Sequence, residues 1–158
     1  MRIMVVLGEG GHTKEMVTLV EMLGDEIEYG YIVADDDEVS ESKITRRGPV
    51  FKVIRPRDKV HHIVGDSVKT LKCILQTAGA LRSFRPHAIL SAGPSIAVAA
   101  SVAAKLMRLK VIFVETGSRI TFLSVTGKIM YRLADLYFVQ SEELAQEYDR
   151  AVYAGRLF

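Results

Sequence analysis

The sequence predicts a doubly wound α/β fold, a parallel β-sheet with helices on both faces. Three observations carry that expectation. Short apolar runs of strand length alternate with segments of helical periodicity along the whole chain. The runs are apolar enough to be covered on both faces, as parallel strands are. The first of them is followed by a glycine-rich turn and then a helical pattern, the order in which a strand passes into a crossover helix.

The elements follow in order. "RIMVVL" (2–7) reads as a buried strand. Residues 13–23 place Met16, Val17, Leu19, Val20 and Leu23 at helical spacing, and Gly24 ends the helix. "IEYGYIVA" (27–34) and "PVFKVI" (49–54) read as the second and third strands. Residues 66–84 form a helix with Val68, Leu71, Ile74, Leu75, Ala78 and Leu81 inward, stopping before Pro86. "HAILSA" (87–92) is a strand, 95–107 a small-residue helix and "KVIFVET" (110–116) a strand. Residues 124–133 are helical and "LYFVQS" (136–141) is the last strand. In such sheets ligands sit beyond the carboxyl ends of the strands, where strand order reverses. The first, fourth and fifth strands end in Gly8, in Ala92-Gly93-Pro94 and in Glu115-Thr116-Gly117, three loops placed to line one crevice.

The chain has 158 residues, 49% apolar and 25% charged, which suits one globular domain rather than a disordered segment. A net charge of +2 argues against a nucleic-acid partner. Charge is nevertheless uneven. The acidic run "ADDDEVSE" (34–41) reads as a solvated loop. Lys43, Arg46, Arg47, Lys52, Arg55, Arg57 and Lys59, opposed by Asp58, form either a second solvated face or a contact for phosphates or an anionic membrane. Cys73 is the only cysteine, so no internal disulfide forms, and its helical context suggests a buried structural thiol in a reducing cytoplasm. No signal peptide is expected, because the first apolar run gives way to glycines. The apolar stretch 88–107 is broken by Gly93-Pro94 and reads as strand, turn and helix rather than a membrane span.

"MVVLGEGGHTKEM" (4–16) carries the chemistry. Glycines after a first strand let a ligand approach peptide N–H groups, and the following helix adds unpaired donors and the positive end of its dipole. Phosphate fits such a cradle. A P-loop is excluded, because Lys14 lacks the preceding glycine that motif requires. The dinucleotide fingerprint GxGxxG fits in part: Gly8 and Gly10 match, Thr13 occupies the third small position, and Asp35 stands where a ribose-binding acid belongs. A small NAD- or FAD-binding module is therefore an alternative. His12 discriminates, because a dinucleotide loop has no chemical need of an imidazole, whereas a neutral one beside a bound sugar can take a proton from a hydroxyl. A histidine bonded to a neighbouring loop is the plainer alternative.

Other constellations are weaker. His61 and His62 are adjacent and diverge on a strand or a helix, so no metal is expected. Ser95 opens a helix after Gly93-Pro94 and can face an anion, although proline at a helix start is common. Glu115 ends a buried strand and needs a partner, for which Arg119 is the candidate. Ser118, Ser124 and Thr126 can bond a sugar, and Lys128 a phosphate.

"GEGGHTKEM", "SAGPSIAVAASVAA", "VIFVETGSRITFLSVTGKIMYRLADLYFVQ" and "YAGRLF" together resemble one family: the acceptor-side, membrane-anchoring subunit of the two-subunit UDP-N-acetylglucosamine transferase of asparagine-linked glycosylation, with bacterial exopolysaccharide glycosyltransferase relatives. The resemblance covers nearly the whole chain. It implies a single Rossmann-like lobe over residues 1–158, similar to the N-terminal half of a GT-B glycosyltransferase, and a separate subunit holding the nucleotide-sugar site. It implies a polyprenyl-diphosphate sugar as acceptor, with Gly8, Gly10, Gly11, His12 and Thr13 at the diphosphate. His12 and Glu115 are the implied catalytic residues, and Gly93, Pro94, Ser95, Ser118 and Arg119 line the cleft. A C-terminal tail, about 150–158, docks the partner through Tyr153, Leu157 and Phe158. No cofactor is implied, the donor carbon inverts, and metal matters little. The chain is expected on the cytoplasmic face of a membrane as a peripheral protein, held through helix 66–84 with Lys69, Lys72, Arg82 and Arg85. A non-catalytic recruitment scaffold is the further alternative. Glu9 departs from the family pattern, and a carboxylate beside a diphosphate repels it unless it meets a positive group.

Overall fold

The computed structural model describes residues 1–56 and 63–157, with the backbone alone at 63–66. Its strands are β1 (Arg2–Val6), β2 (Glu28–Ala34), β3 (Val50–Val53), β4 (Ala88–Ala92), β5 (Lys110–Val114), β6 (Leu136–Val139) and β7 (Ala151–Tyr153). Its helices are α1 (Gly11–Leu23), α2 (Glu38–Ser42), α3 (Ile63–Phe84), α4 (Ser95–Leu106), α5 (Val125–Leu133) and α6 (Glu142–Glu147). Every strand pair is parallel, in the order β3-β2-β1-β4-β5-β6-β7. The chain winds outward from β1 in one direction and from β4 in the other. The order therefore reverses between β1 and β4, and a crevice opens beyond their carboxyl ends.

Alternate residues of each strand face opposite cores. Met4, Val6, Ile89, Phe113 and Tyr137 pack beneath α3, α4 and α5, with the Phe113 and Tyr137 rings stacked at 5.3 Å. Ile3, Val5, Leu7, Leu90 and Val114 pack against Met16 and Val20 of α1. The small residues Ala97, Ala100, Ala103 and Ala104 of α4 are buried, which lets that helix lie close to the sheet. The second face is covered less far than the first. Beside α1, Ile112, Leu136 and Phe138 stay partly bare, and together with Leu19, Met22 and Leu157 they border an apolar groove of about 380 Å³.

Three elements depart from the sequence reading. Within the acidic run, Asp37 accepts the Ser40 N–H at 2.9 Å and caps α2, whose Glu38 and Glu41 favour the positive helix end. Ser141 caps α6 in the same way, at 3.3 Å from the Leu144 N–H. The chain then returns as β7, pairing Ala151 with Tyr137, so part of the expected free tail is sheet.

The inward face of α3 also differs. Cys73, Thr77, Ala80 and Leu81 are buried, and Ile74 and Ala78 partly so, while Val68, Leu71 and Leu75 are about 64%, 59% and 64% exposed. An apolar helix of this length carries two stripes, and periodicity alone does not say which one meets the sheet. Burial pushes the Cys73 thiol up to about 11, consistent with an inert structural cysteine.

The basic stretch is largely engaged by the fold's own acids. Arg46 meets Asp25 and, at 3.0 Å, Glu21; Lys52 meets Glu41 at 2.9 Å; Arg55 meets Asp36 at 2.8 Å. Arg57, Asp58, Lys59, His61 and His62 lie outside the described residues.

Candidate active site

The turn after β1 is shaped by close packing. Gly8 lies against the Pro94 ring, with no space for a Cβ. Gly10 is the N-cap of α1 at φ 66°, a conformation open to glycine, and no side chain caps the helix. The first-turn N–H groups of α1 are therefore left for a ligand or solvent, on the positive helix end.

The Thr13 side chain does not join them. It is fully buried, its hydroxyl bonded to the Gly8 carbonyl and 2.6 Å from Ser40 Oγ, which is itself 3.2 Å from the same carbonyl. Of Thr13, expected at the diphosphate, the hydroxyl is thereby engaged inside the fold, and its first-turn N–H remains. The side chain ties the turn down from inside, in the position where a dinucleotide fold has its third small residue.

The crevice at the switch point has a volume of about 250 Å³, and Gly8, Glu9, His12, Asp37, Arg55, Pro94 and Ser95 line it. Glu9 is matched by Arg55 at 2.8 Å, and the same guanidinium reaches Asp36 at 2.8 Å. Asp36 first, against the cost of partial burial, and then Glu9 hold the Arg55 charge more firmly than usual. The Glu9 carboxylate is thus balanced by a cation at the crevice wall.

His12 is half-buried in the first turn of α1 and lies over Gly93, whose φ is 61° and whose missing side chain makes space for the ring. Its Nδ1 lies 3.6 Å from Oε2 of Glu15, one turn along the same helix. Glu15 is buried, at 2% exposure. Its other oxygen, Oε1, accepts from the Gly117 N–H at 2.7 Å, the Thr116 hydroxyl at 3.1 Å and Gln140 Nε2 at 3.1 Å. Burial works against the charged carboxyl, but His12, the Gly117 N–H and the Thr116 hydroxyl outweigh it and hold Glu15 below the usual range.

Glu115 occupies another place than expected. It is fully buried and is not paired with Arg119. It accepts from Tyr137 OH at 2.9 Å, Ser124 Oγ at 2.9 Å and the Ser124 N–H at 3.2 Å, and Gly127 packs against it. Burial first and then the Glu115 carboxylate push the Tyr137 phenol above its usual range, so it stays a donor. Glu115 anchors the start of α5, outside the crevice lining. Arg119 instead lies 5.2 Å over the Phe122 ring, and Ser118 is exposed with its hydroxyl 3.3 Å from that of Thr116.

At the C-terminus, Tyr153 ends β7 and is 37% exposed. Leu157 folds back onto the second core, half-buried, with its N–H 2.9 Å from Gln140 Oε1. The tail is therefore seated on this chain's own sheet and forms one wall of the apolar groove. Phe158 lies outside the described residues.

Glu15, Arg55 and Gln140 escaped the sequence reading as site residues. The first was legible in principle, since "HTKE" sets a carboxylate three positions after the histidine on one helix face. Arg55 was hidden in a stretch read only for its net charge. Nothing local marks Gln140, whose role arises from three strand ends meeting.

A parallel sheet in this order, with a glycine turn at its switch point, defines the class: a Rossmann-like lobe, with the fold of one half of a GT-B glycosyltransferase. MurG of Acinetobacter baumannii is similar in fold, with a TM-score of 0.70 and 14% identity over 87% of this chain and 40% of that one. So is the UDP-GlcNAc 2-epimerase of Methanocaldococcus jannaschii, at 0.73 and 15% over 99% and 46%. The chain spans less than half the length of either. In particular, it belongs to the family described as oligosaccharide biosynthesis protein Alg14 like, which matches residues 3–157. The human UDP-N-acetylglucosamine transferase subunit ALG14 is 29% identical over 177 residues, covering 98% of this chain and 82% of the human protein.

Proposed function

We propose that this chain is the acceptor-binding subunit of a split UDP-N-acetylglucosamine-dependent glycosyltransferase, acting on a polyprenyl-diphosphate-linked sugar at a membrane surface. The observation that carries the reading is the crevice itself: His12 lines a space of about 250 Å³ at the switch point, at the start of a helix that no side chain caps. The diphosphate rests on Gly8, Gly10, Gly11 and the α1 amides, and the sugar lies toward Gly93, Pro94 and Ser95. The acceptor hydroxyl attacks the donor's anomeric carbon as the bond to the nucleotide diphosphate breaks, and His12 takes the hydroxyl proton. The subunit designation of the relatives supports a donor site on another chain.

Two surfaces support the assembly. The apolar groove between α1 and the tail suits an apolar segment of the donor-binding partner, with Leu157 in its wall and Tyr153 next in the chain to its Ala154. The outward stripe of α3, Val68, Leu71 and Leu75, suits a lipid surface, with Lys72, Arg82 and Arg85 exposed around it. No helix among the described residues is long and apolar enough to cross a membrane.

The test is the chain reconstituted with its co-purifying donor subunit, UDP-N-acetylglucosamine and a short prenyl-diphosphate sugar. His12→Ala is expected to lower kcat by about 10²–10⁴ while the complex still forms. Unchanged turnover in that variant would leave only the scaffold role.

A further inference from the structure

The reading of His12 as base leaves open what sets its proton. A neutral imidazole accepts on one nitrogen only, and which one is decided by the group facing the other. Two orphaned atoms decide it here. His12 Nδ1 and Glu15 Oε2 are both buried, neither has a partner within hydrogen-bond range, and they face each other at 3.6 Å. Across the same carboxylate, Oε1 is taken by three neighbours, of which the Gly117 N–H and the Gln140 amide are donors by necessity. Glu15 cannot swing away without leaving those donors unpaired in a buried site.

We infer that Glu15 is the positioning residue of the transfer reaction: its fixed Oε2 accepts the His12 Nδ1 proton, holds the ring in the Nδ1–H tautomer over Gly93, and leaves Nε2 bare to take the proton of the acceptor hydroxyl. This rests on the proposed role of His12. The balance is simple. The hydroxyl oxygen bonds the anomeric carbon, the leaving nucleotide diphosphate departs with the electron pair of the broken C–O bond, and the hydroxyl proton passes to Nε2. Glu15 stays ionised throughout, opposite the imidazolium that forms, and the contact tightens as that charge appears. The lowered proton affinity of its carboxyl agrees with this. Of the other charged groups at the crevice, Glu9 pairs with Arg55, which also meets Asp36, and Asp37 caps α2 by accepting the Ser40 N–H.

The geometry makes glutamine an unusually sharp probe. In Glu15→Gln the amide oxygen must stay with Gly117 and Gln140, so the NH₂ group faces Nδ1. It donates where the carboxylate accepted, and the His12 proton moves to Nε2. The nitrogen-15 spectrum of histidine-labelled full-length chain reads this directly, without substrate or partner. Wild type is expected as Nδ1–H and Glu15→Gln as Nε2–H. In the reconstituted pair, kcat of the variant is expected to fall about 10²–10⁴-fold with KM nearly unchanged, and Glu15→Asp to recover part of it. A wild-type His12 protonated on Nε2 overturns the inference, even if the variant fails to fold. So does a folded Glu15→Gln with an unmoved tautomer, or with kcat within threefold of wild type. Full turnover in His12→Ala would instead sink the base reading, while a tautomer exchanged on substitution would still establish the hydrogen bond.

Discussion

An alanine at position 93 would carry its Cβ into the His12 ring, on a backbone already left-handed at φ 61°. Gly93→Ala is therefore expected to displace the imidazole and to cost about 1–2 kcal/mol of strain. A fall in kcat larger than the loss of urea stability explains would show the first effect. Position 93 illustrates what single residues reveal in a sequence and what they conceal. The glycines and His12 stood out because their chemistry is local: a bare backbone, a helix start, an imidazole. Thr13 and Glu115 misled for the same reason. Each looks like a ligand group when read with its neighbours, and each is engaged by residues far along the chain, Thr13 by Ser40 and Glu115 by Tyr137. A buried polar group finds its partner in space, and spacing along the chain does not report it.

Elements were more legible, because their periods are set by backbone geometry and repeat over many residues. The long strands and helices fall close to the sequence bounds. The short ones, α2, α6 and β7, are held by one side-chain cap or one neighbouring strand and leave almost no periodic trace. For α3 the period was plain but its facing was not, and that makes a measurable difference. Leu71→Asp with Leu75→Asp is expected to cost no more than about 1 kcal/mol of folding stability, about 0.5 for each solvent-open site. Flotation with vesicles containing anionic lipid is expected to drop sharply, and an undiminished shift would remove α3 from the membrane contact. Asp135 supplies a pH test at the same scale. It accepts the Val111 N–H at 2.8 Å and meets Lys105 at 2.9 Å, joining α4 to the start of β5. Although burial opposes the charge, Lys105 and the Val111 N–H hold this carboxyl below the usual range. Its contribution is therefore complete above the unfolded carboxylate pKa of about 3.9 and fades as pH falls through the lower native value. Asp135→Asn should lower the denaturation midpoint at neutral pH, and the gap to wild type should close in acid.

The molecule as a whole is one lobe with one sheet face left partly bare. Fold class followed from alternation alone, whereas the incomplete cover did not, because it is a property of what is missing beside α1. Anything that binds only the folded lobe raises its apparent stability by mass action. A stoichiometric donor subunit is thus expected to raise the melting temperature of this chain, and Phe138→Asp to abolish that rise; an equal rise in the variant would place the partner elsewhere. Removal of residues 154–158 is expected to cost about 1–3 kcal/mol, because the Gln140 carbonyl loses the Leu157 N–H in a buried setting. Gln140 gives that seam its further significance. Its NH₂ points to Glu15 and the Glu115 carbonyl, and its oxygen points to the tail. A planar carboxamide can satisfy all of these only one way round. Whatever unseats the last few residues thus takes away the N–H that holds this amide's oxygen and loosens one of the three donors on Glu15, so the chain's end reaches the carboxylate beside His12 through a single side chain.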